Sequence, residues 1–505
     1  MTNEATRVLT LGNSRLYGVA LALSIVPLWL THYLPMVDLP GHAALMTSLR
    51  ELAQGNQLFG AEFRSNWFTP YLLGYGLFYA VSLVVPVAVA AKVVVSTAIV
   101  LTSFLVGVLL REAGADERWK WLAIPCSYSL AFYWGFLSFI VAIPIALLLL
   151  IQTLRFDRDP SLRRGMIVAA LAVLAFFSHV IAMGLSCLCA LAYIAGARYR
   201  DPLGLVRRAL PYTAPIPLIV VWFTQTASDV AGVADAPVVY GPIGTRLAYL
   251  ISQPSGSDDV SYLAIAVTAA IVLLPLLCGS RFTSRPARWL PLAAVIATYF
   301  AMPSYVFLSG FVYERLGVFL VPMWLLVFDR PTAPRQRLEW VAMAVVLAWV
   351  GANTWRFAAF AAETRQFGEV LRHMEEGRRV AGLMIGNASP HFATPVYLHF
   401  ASWYQAERRG VADFNFADFQ MVVQRRDTDR PRVTEGLAAR PVLFDWQLNG
   451  GSTYDYFLVR APADFSNVLF KEHAAKVEFV GRAGMWWLYR NRERPRDSAV
   501  HSAVQ

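Results

Sequence analysis

Residues 36–64, M-V-D-L-P-G-H-A-A-L-M-T-S-L-R-E-L-A-Q-G-N-Q-L-F-G-A-E-F-R, decide how the rest of the chain is read. The stretch follows one apolar segment, 16–34, and precedes a long run of apolar sequence. Asp38 and His42 flank Pro40-Gly41, just where a chain leaving a bilayer meets water. Pro40-Gly41 can open a short helix that Gly55 stops. Along it Ala44, Leu45, Leu49 and Leu52 form an apolar stripe, so the pattern predicts a helix lying in the membrane surface with Arg50 and Glu51 outward. A carboxylate at the helix start is favoured by the positive end of the helix. Asp38 is then either a general base or divalent-metal ligand facing a substrate at the interface, or simply the helix cap, with His42 an interfacial polar residue. The spacing leaves both readings open.

Composition sets the setting. Of 505 residues 57% are hydrophobic and only 15% charged, with mean hydropathy +0.46. Soluble domains carry about 25% charged residues, so this is an integral membrane protein. The net charge of +10 comes mostly from arginines in short loops, which marks a cytoplasmic face and not nucleic-acid binding. Segment 16–34 is too long for the apolar core of a signal peptide, about 7–15 residues, and is read as a span. The four cysteines all fall in apolar segments and read as small core residues.

A spanning helix needs about 20 apolar residues. Besides 16–34, apolar stretches lie at 70–87, 89–110, 121–135, 137–154, 165–178, 180–197, 209–225, 260–278, 289–308, 314–328 and 338–356. Arg7 and Arg15, then Arg111, Arg118 and Lys120, and later Arg155 to Arg164, Arg198 to Arg208, Arg281 to Arg288 and Arg330 to Arg337 place one set of loops in the cytoplasm. Loop 226–259 has only Arg246 against Asp229, Asp235, Asp258 and Asp259, and belongs with Asp38 on the outer side. The crossings balance if a piece near the aromatic-rich 67–79 does not span, since Trp and Tyr prefer the interface. That gives about 11 spans and an extracytoplasmic C-terminus.

From Glu363 onward the composition is that of a soluble domain. Residues 379–386 read as a strand and turn, and 395–409 as an amphipathic helix closed by Gly410. Residues 454–460 and 477–490 read as strands, the second interrupted by Gly481 and Gly484. The fold class expected is therefore a polytopic α-helical membrane protein, 1–357 with its outer loop 36–69, followed by a small extracytoplasmic α/β domain, 358–490. The charged tail, 491–505, reads as disordered.

At this point the residues resemble a family, the GT-C glycosyltransferases. Asp38-Leu39-Pro40-Gly41-His42 is similar to the D-x-P-x-H form of bacterial members. Gly135-Phe136-Leu137-Ser138-Phe139 resembles their glycine–aromatic turn, Ser178-His179 a histidine at an outer helix end, and Glu314-Arg315 an acidic–Arg pair before a late span. Tyr397-Leu398-His399 resembles the start of their appended domain. The resemblance implies a bacterial plasma-membrane enzyme that moves a hexosyl or pentosyl group from a polyprenyl-phosphate-linked donor to an extracytoplasmic acceptor. It implies Asp38 as base, assisted by His42, with Arg315, His179 and Arg64 meeting the donor phosphate. Many relatives have a second acidic residue beside the first, and here position 39 is Leu. If a divalent metal, magnesium or manganese, is used, Asp38 would need a second ligand such as Glu62, Asp258 or Asp259. Glu314 and Glu62 stand as possible substrate-facing second acids. Plainer readings accompany these: Arg315 snorkelling to headgroups, His179 in a polar turn, Asp258-Asp259 a solvated loop, His399 structural, and Trp403-Tyr404 and Trp486-Trp487 either sugar platforms or core.

Two other functions fit a polytopic chain: a flippase for lipid-linked sugars, and a surface-polysaccharide polymerase or ligase. The first would place polar groups at mid-membrane, yet 121–154 has no Asp, Glu, Lys, Arg or His. The second favours arginine-rich outer loops, which 226–259 lacks.

Overall fold

A computed structural model of the chain describes residues 14–231, 237–306, 309–331, 336–419, 421–426 and 431–494. Arg7, Asp235, Arg335 and the tail from 495 lie outside the described residues, as do the side chains of Asp229 and Arg337. The chain divides into two compact units. One comprises the chain up to Thr31, Trp67–Val81 and Lys92–Ala358; the other comprises His32–Asn66, Ser82–Ala91 and the chain from Ala359. The loop read from sequence as part of the membrane module thus folds, through Asn66, with the C-terminal segment.

The first unit is helical. Val87–Ala113, Leu137–Arg158, Val180–Arg198 and Trp340–Leu371 are long and apolar enough to cross a bilayer, and Ser14–Leu30, Leu72–Ser82, Ile216–Gln225 and Tyr262–Leu277 are shorter apolar helices. At about 1.5 Å per residue the 11-residue Leu72–Ser82 helix is far shorter than a hydrocarbon core. Small residues let helices approach: a Cβ added at Gly196 of Val180–Arg198 would lie 2.6 Å from the Ala287 backbone of Pro286–Ala301.

The predicted spans 121–135 and 314–328 are among those that are not continuous helices. Stretch 121–135 holds the end of a 3₁₀ turn, Glu117–Leu122, then Ala123–Cys126 and Leu130–Trp134, stopped by Gly135 in the left-handed region. Stretch 314–328 holds a 3₁₀ turn, Glu314–Phe319, and the seven-residue Leu320–Leu326 helix before a two-residue strand, Phe328–Asp329. Apolar composition alone made them look like spans; each is buried in protein, where irregular backbone is tolerated. Several arginines counted as loop charges are likewise interior. Arg118 forks onto Asp116 at 2.8 and 2.6 Å, and Arg288 donates to the carbonyls of Leu326 and Phe328. Arg246, the single basic residue of 226–259, is buried and donates to the carbonyls of Tyr299 and Met302, at the end of the Pro286–Ala301 helix.

The second unit is built on a five-stranded sheet. Its order is Val477–Ala483, Trp486–Asn491, Tyr456–Arg460, Arg379–Met384, Val411–Ala412, with the first two pairings antiparallel and the last two parallel. The predicted strand 477–490 is a hairpin turned at Gly484, φ +57°, with its register shift beside Gly481. One face of the sheet buries Leu383, Phe457, Trp446, Phe470 and Trp487. Trp403, Tyr404 and Trp486 are buried as well, so the aromatic pairs are core. The predicted helix 395–409 is helical only over Ser402–Arg408. Arg409, φ +51°, takes the left-handed closing position expected of Gly410. Gly410 serves close approach, since a Cβ there would lie 2.2 Å from the Tyr404 ring.

Candidate active-site residues

The Leu39–Ala53 helix forms where Pro40 sets the first turn. It is not an interfacial helix. Twelve of its residues are buried, Glu51 among them, and it lies against Ser402–Arg408 of the same unit. Thr47 Oγ1 donates to the Ala406 carbonyl at 3.1 Å, and Gln405 Nε2 donates to Ser48 Oγ at 2.8 Å. The apolar stripe that suggested a lipid surface is a protein–protein seam. Gly41 is required for it: a Cβ there would sit 2.9 Å from the Phe416 ring.

Asp38 stands at the cap position of this helix but accepts no capping hydrogen bond. Its carboxylate lies 3.5 Å from His399 Nε2, with the two side chains 18% and 10% exposed. His399 is stacked on Phe414, with ring centroids 4.7 Å apart at 16°, and its edge meets Phe416. Burial among these rings pushes the imidazole down to about 3, despite the carboxylate beside it. A neutral His399 therefore presents Nε2–H to Asp38, while the buried Nδ1 has no hydrogen-bond partner among the described residues. His42, four residues on, is buried with its ring edge-on to Phe416, 5.2 Å between centroids. Sequence spacing pointed to His42 as the partner of Asp38; the fold also brings up His399, read above as structural and singled out only by the Tyr397-Leu398-His399 resemblance.

Glu62 is not a free second acid. It ends the short Gln57–Glu62 helix, is buried, and pairs with Arg379 at 2.5 Å and Arg425 at 3.4 Å. Arg425 also reaches Asp418 at 2.8 Å and the Asp413 carbonyl. This network pins the strand Phe63–Ser65, which pairs with Val423–Arg425. Arg64 is exposed on that strand, opposite Gln424.

In the membrane unit, His179 joins Leu162–Ser178 to Val180–Arg198. Its Nδ1 accepts from the Ile181 N–H at 3.3 Å, and its Nε2 lies 3.1 Å from Arg315 Nη1. Arg315 Nη2 donates to the Gly310 carbonyl at 2.9 Å, and the guanidinium lies 3.9 Å over the Phe136 ring of the glycine–aromatic turn. The rings of Tyr71 and Phe139 both pack T-shaped against His179. The motifs around 135, 179 and 310–315, far apart in sequence, are thus one cluster. A neutral imidazole has one acceptor nitrogen; with Nδ1 accepting, the proton is on Nε2 and two donors converge. Glu314, next in sequence to Arg315, is buried and accepts from the Ser304 hydroxyl.

The metal reading finds no ligand set. Asp258, taken above for a solvated loop, is buried and ion-paired with Arg356; Asp259 accepts from Ser257 Oγ at 2.7 Å. Among the described residues no group of three or more His, Cys, Asp or Glu is disposed to hold a cation; magnesium is commonly held by one or two carboxylates together with water and substrate phosphate oxygens.

No protein-family model matches the sequence, and no curated protein does. Among solved structures, ArnT from Cupriavidus metallidurans, crystallised bound to undecaprenyl phosphate, is similar over 94% of this chain and 96% of its own, at 11% identity and TM-score 0.50. Arabinofuranosyltransferase AftD from Mycobacteria matches 95% of this chain and 41% of its own, at 14% identity and TM-score 0.45. The likeness to ArnT extends along nearly the whole of both chains: this chain has the fold of ArnT.

Proposed function

We propose that the protein is a membrane glycosyltransferase that moves a sugar from a polyprenyl-phosphate-linked donor to a hydroxyl acceptor outside the cytoplasm. The observation that carries the reading is the Asp38 carboxylate, at the start of the Leu39–Ala53 helix and held against a neutral His399. Transfer needs the acceptor hydroxyl to lose a proton as its oxygen attacks the sugar C1. Asp38 takes that proton, the C1–O bond to the lipid phosphate breaks, and the bond pair leaves with the phosphate. His399, donating from Nε2, orients the carboxylate; His42 supports it indirectly, by packing the Phe416 ring that bounds His399.

The leaving phosphate gains charge and needs cationic donors. Arg315 suits it: its guanidinium is fixed by Phe136 and the Gly310 carbonyl, and with His179 it offers converging N–H groups where an anion is favoured. Arg64, exposed, is a further donor to the lipid phosphate. ArnT, which shares the fold, was crystallised with undecaprenyl phosphate, and that supports a donor of the same lipid class. Glu62 and Glu314 are structural in this reading, and no step needs a metal. The C-terminal unit and the Asp38 loop face the extracytoplasmic side of a bacterial plasma membrane.

The test is sugar transfer by purified protein in lipid, supplied with radiolabelled polyprenyl-phosphate sugars, with and without EDTA. Transfer or slow hydrolysis insensitive to EDTA is expected. Translocation of the intact lipid-linked sugar with no bond broken would replace the enzyme by a flippase.

A further inference from the structure

The second unit contains a cleft of about 420 Å³ that the proposed chemistry does not use. Its wall is the C-terminal end of the Gln336–Leu371 helix, where Arg365, Gly368 and Arg372 recur at i, i+3 and i+7 and so share a face. Glycine inside a helix is less stable than alanine, yet nothing lies within 4 Å of the place where a Gly368 side chain would start. The missing side chain leaves the wall open. Across the cleft, Arg408 comes from the end of the Ser402–Arg408 helix, and His32 and Tyr33 from the segment after Ser14–Leu30.

The charges in this cleft are unbalanced. Among the described residues none of Arg365, Arg372 and Arg408 makes an ion pair, while Arg378, Arg379, Arg425 and Arg460 of the same unit all do. The one carboxylate present, Glu407, is already held by His32 Nε2 at 2.7 Å and the Tyr33 hydroxyl at 3.0 Å. Three guanidiniums around an open groove, with the nearby carboxylate committed elsewhere, match the forked geometry that phosphate oxygens accept. In the sequence, His32 and Tyr33 follow the apolar Ser14–Leu30 helix, and Arg365 and Arg372 lie at the end of the apolar stretch Trp340–Leu371.

We infer that this cleft is a phosphate-binding site formed by Arg365, Arg372 and Arg408, distinct from the Arg315–His179 cluster. The phosphate belongs to a lipid headgroup or to a free phosphate, and the inference does not depend on the glycosyltransferase reading. Full-length protein purified in detergent is titrated with dioctanoyl phosphatidic acid, dioctanoyl phosphatidylcholine and inorganic phosphate, followed by thermophoresis. The variants are wild type, the Arg365→Gln/Arg372→Gln double variant, and Arg440→Gln as a charge control elsewhere on the unit. Phosphatidic acid is expected to bind wild type and Arg440→Gln alike, and the double variant at least tenfold more weakly with an unchanged melting temperature. Displacement by inorganic phosphate would support the site with phosphate alone as sufficient ligand. Binding that inorganic phosphate cannot displace would support it with a lipid as the source, and binding of inorganic phosphate only, lost in the double variant, would support a free phosphate. Equal binding by wild type and the double variant, or binding of neither ligand by wild type, would overturn the inference.

Discussion

Glu62→Gln separates a structural acid from a catalytic one. The carboxylate of Glu62 is buried and shared by Arg379, at 2.5 Å, and Arg425, at 3.4 Å. Removing one partner of a buried ion pair costs about 3–5 kcal/mol, because a charge is left uncompensated. Arg425 keeps Asp418 at 2.8 Å and the Asp413 carbonyl, so most of the loss falls on Arg379, which is itself partly exposed. That discount puts the effect at about 2–3 kcal/mol. For a unit of this size each kcal/mol shifts the melting temperature by about 2–4 °C, so a fall of roughly 5–10 °C is expected. Scanning fluorimetry on purified wild type and variant reads it directly from the tryptophans. The same samples, assayed for transfer well below both melting points, should retain activity within about threefold. An unshifted melting temperature with activity abolished would refute the reasoning and return Glu62 to the chemistry.

Other expectations follow from the same geometry. Gly41→Val forces a side chain into the Phe416 ring; overpacking costs about 1–3 kcal/mol, and a melting temperature equal to wild type would show that the seam yields freely. His399 binds no proton in the folded chain down to about pH 3, whereas in the unfolded chain it titrates near 6.5, so its contribution is complete above pH 6.5 and is lost as pH falls. The slope approaches about 1.4 kcal/mol per pH unit. Chemical denaturation at pH 7 and pH 5 should therefore show wild type losing about 2 kcal/mol more than His399→Phe; parallel losses would contradict a buried neutral imidazole. Arg315→Lys keeps the charge but loses the fork that spans Gly310 and His179. Transfer should drop at least tenfold without a change in melting temperature, and unaltered kinetics would remove Arg315 from the phosphate role.

The sequence made the class of fold legible through its strongest signals: apolar runs of spanning length, a compositional break near 358, and short motifs in a fixed order. It misled where burial and lipid exposure look alike. Segments 121–135 and 314–328 are as apolar as spans, yet are short turns and helices enclosed by protein. The stripe on Leu39–Ala53 had the period of an interfacial helix, and nothing local indicates that Ser402–Arg408, some 350 positions later, covers it. Asp38 was visible because a carboxylate beside Pro-Gly at a membrane boundary is unusual. Its partner was not, since pairing of His399 with Asp38 is a tertiary fact that spacing cannot encode. The commitment of Glu62 and Asp258 to arginines distant in sequence was invisible for the same reason.

The central claim is that Asp38 is the base of a sugar transfer, and replacing one atom of its side chain tests it most directly. Asp38→Asn keeps shape and removes the proton acceptor, so wild type and variant should be compared with the polyprenyl-phosphate donor that wild type uses. The account predicts a loss of about a hundredfold or more in the transfer rate, measured on variant protein whose melting transition shows it to be folded. An Asp38→Asn protein that transfers sugar at the wild-type rate would contradict it.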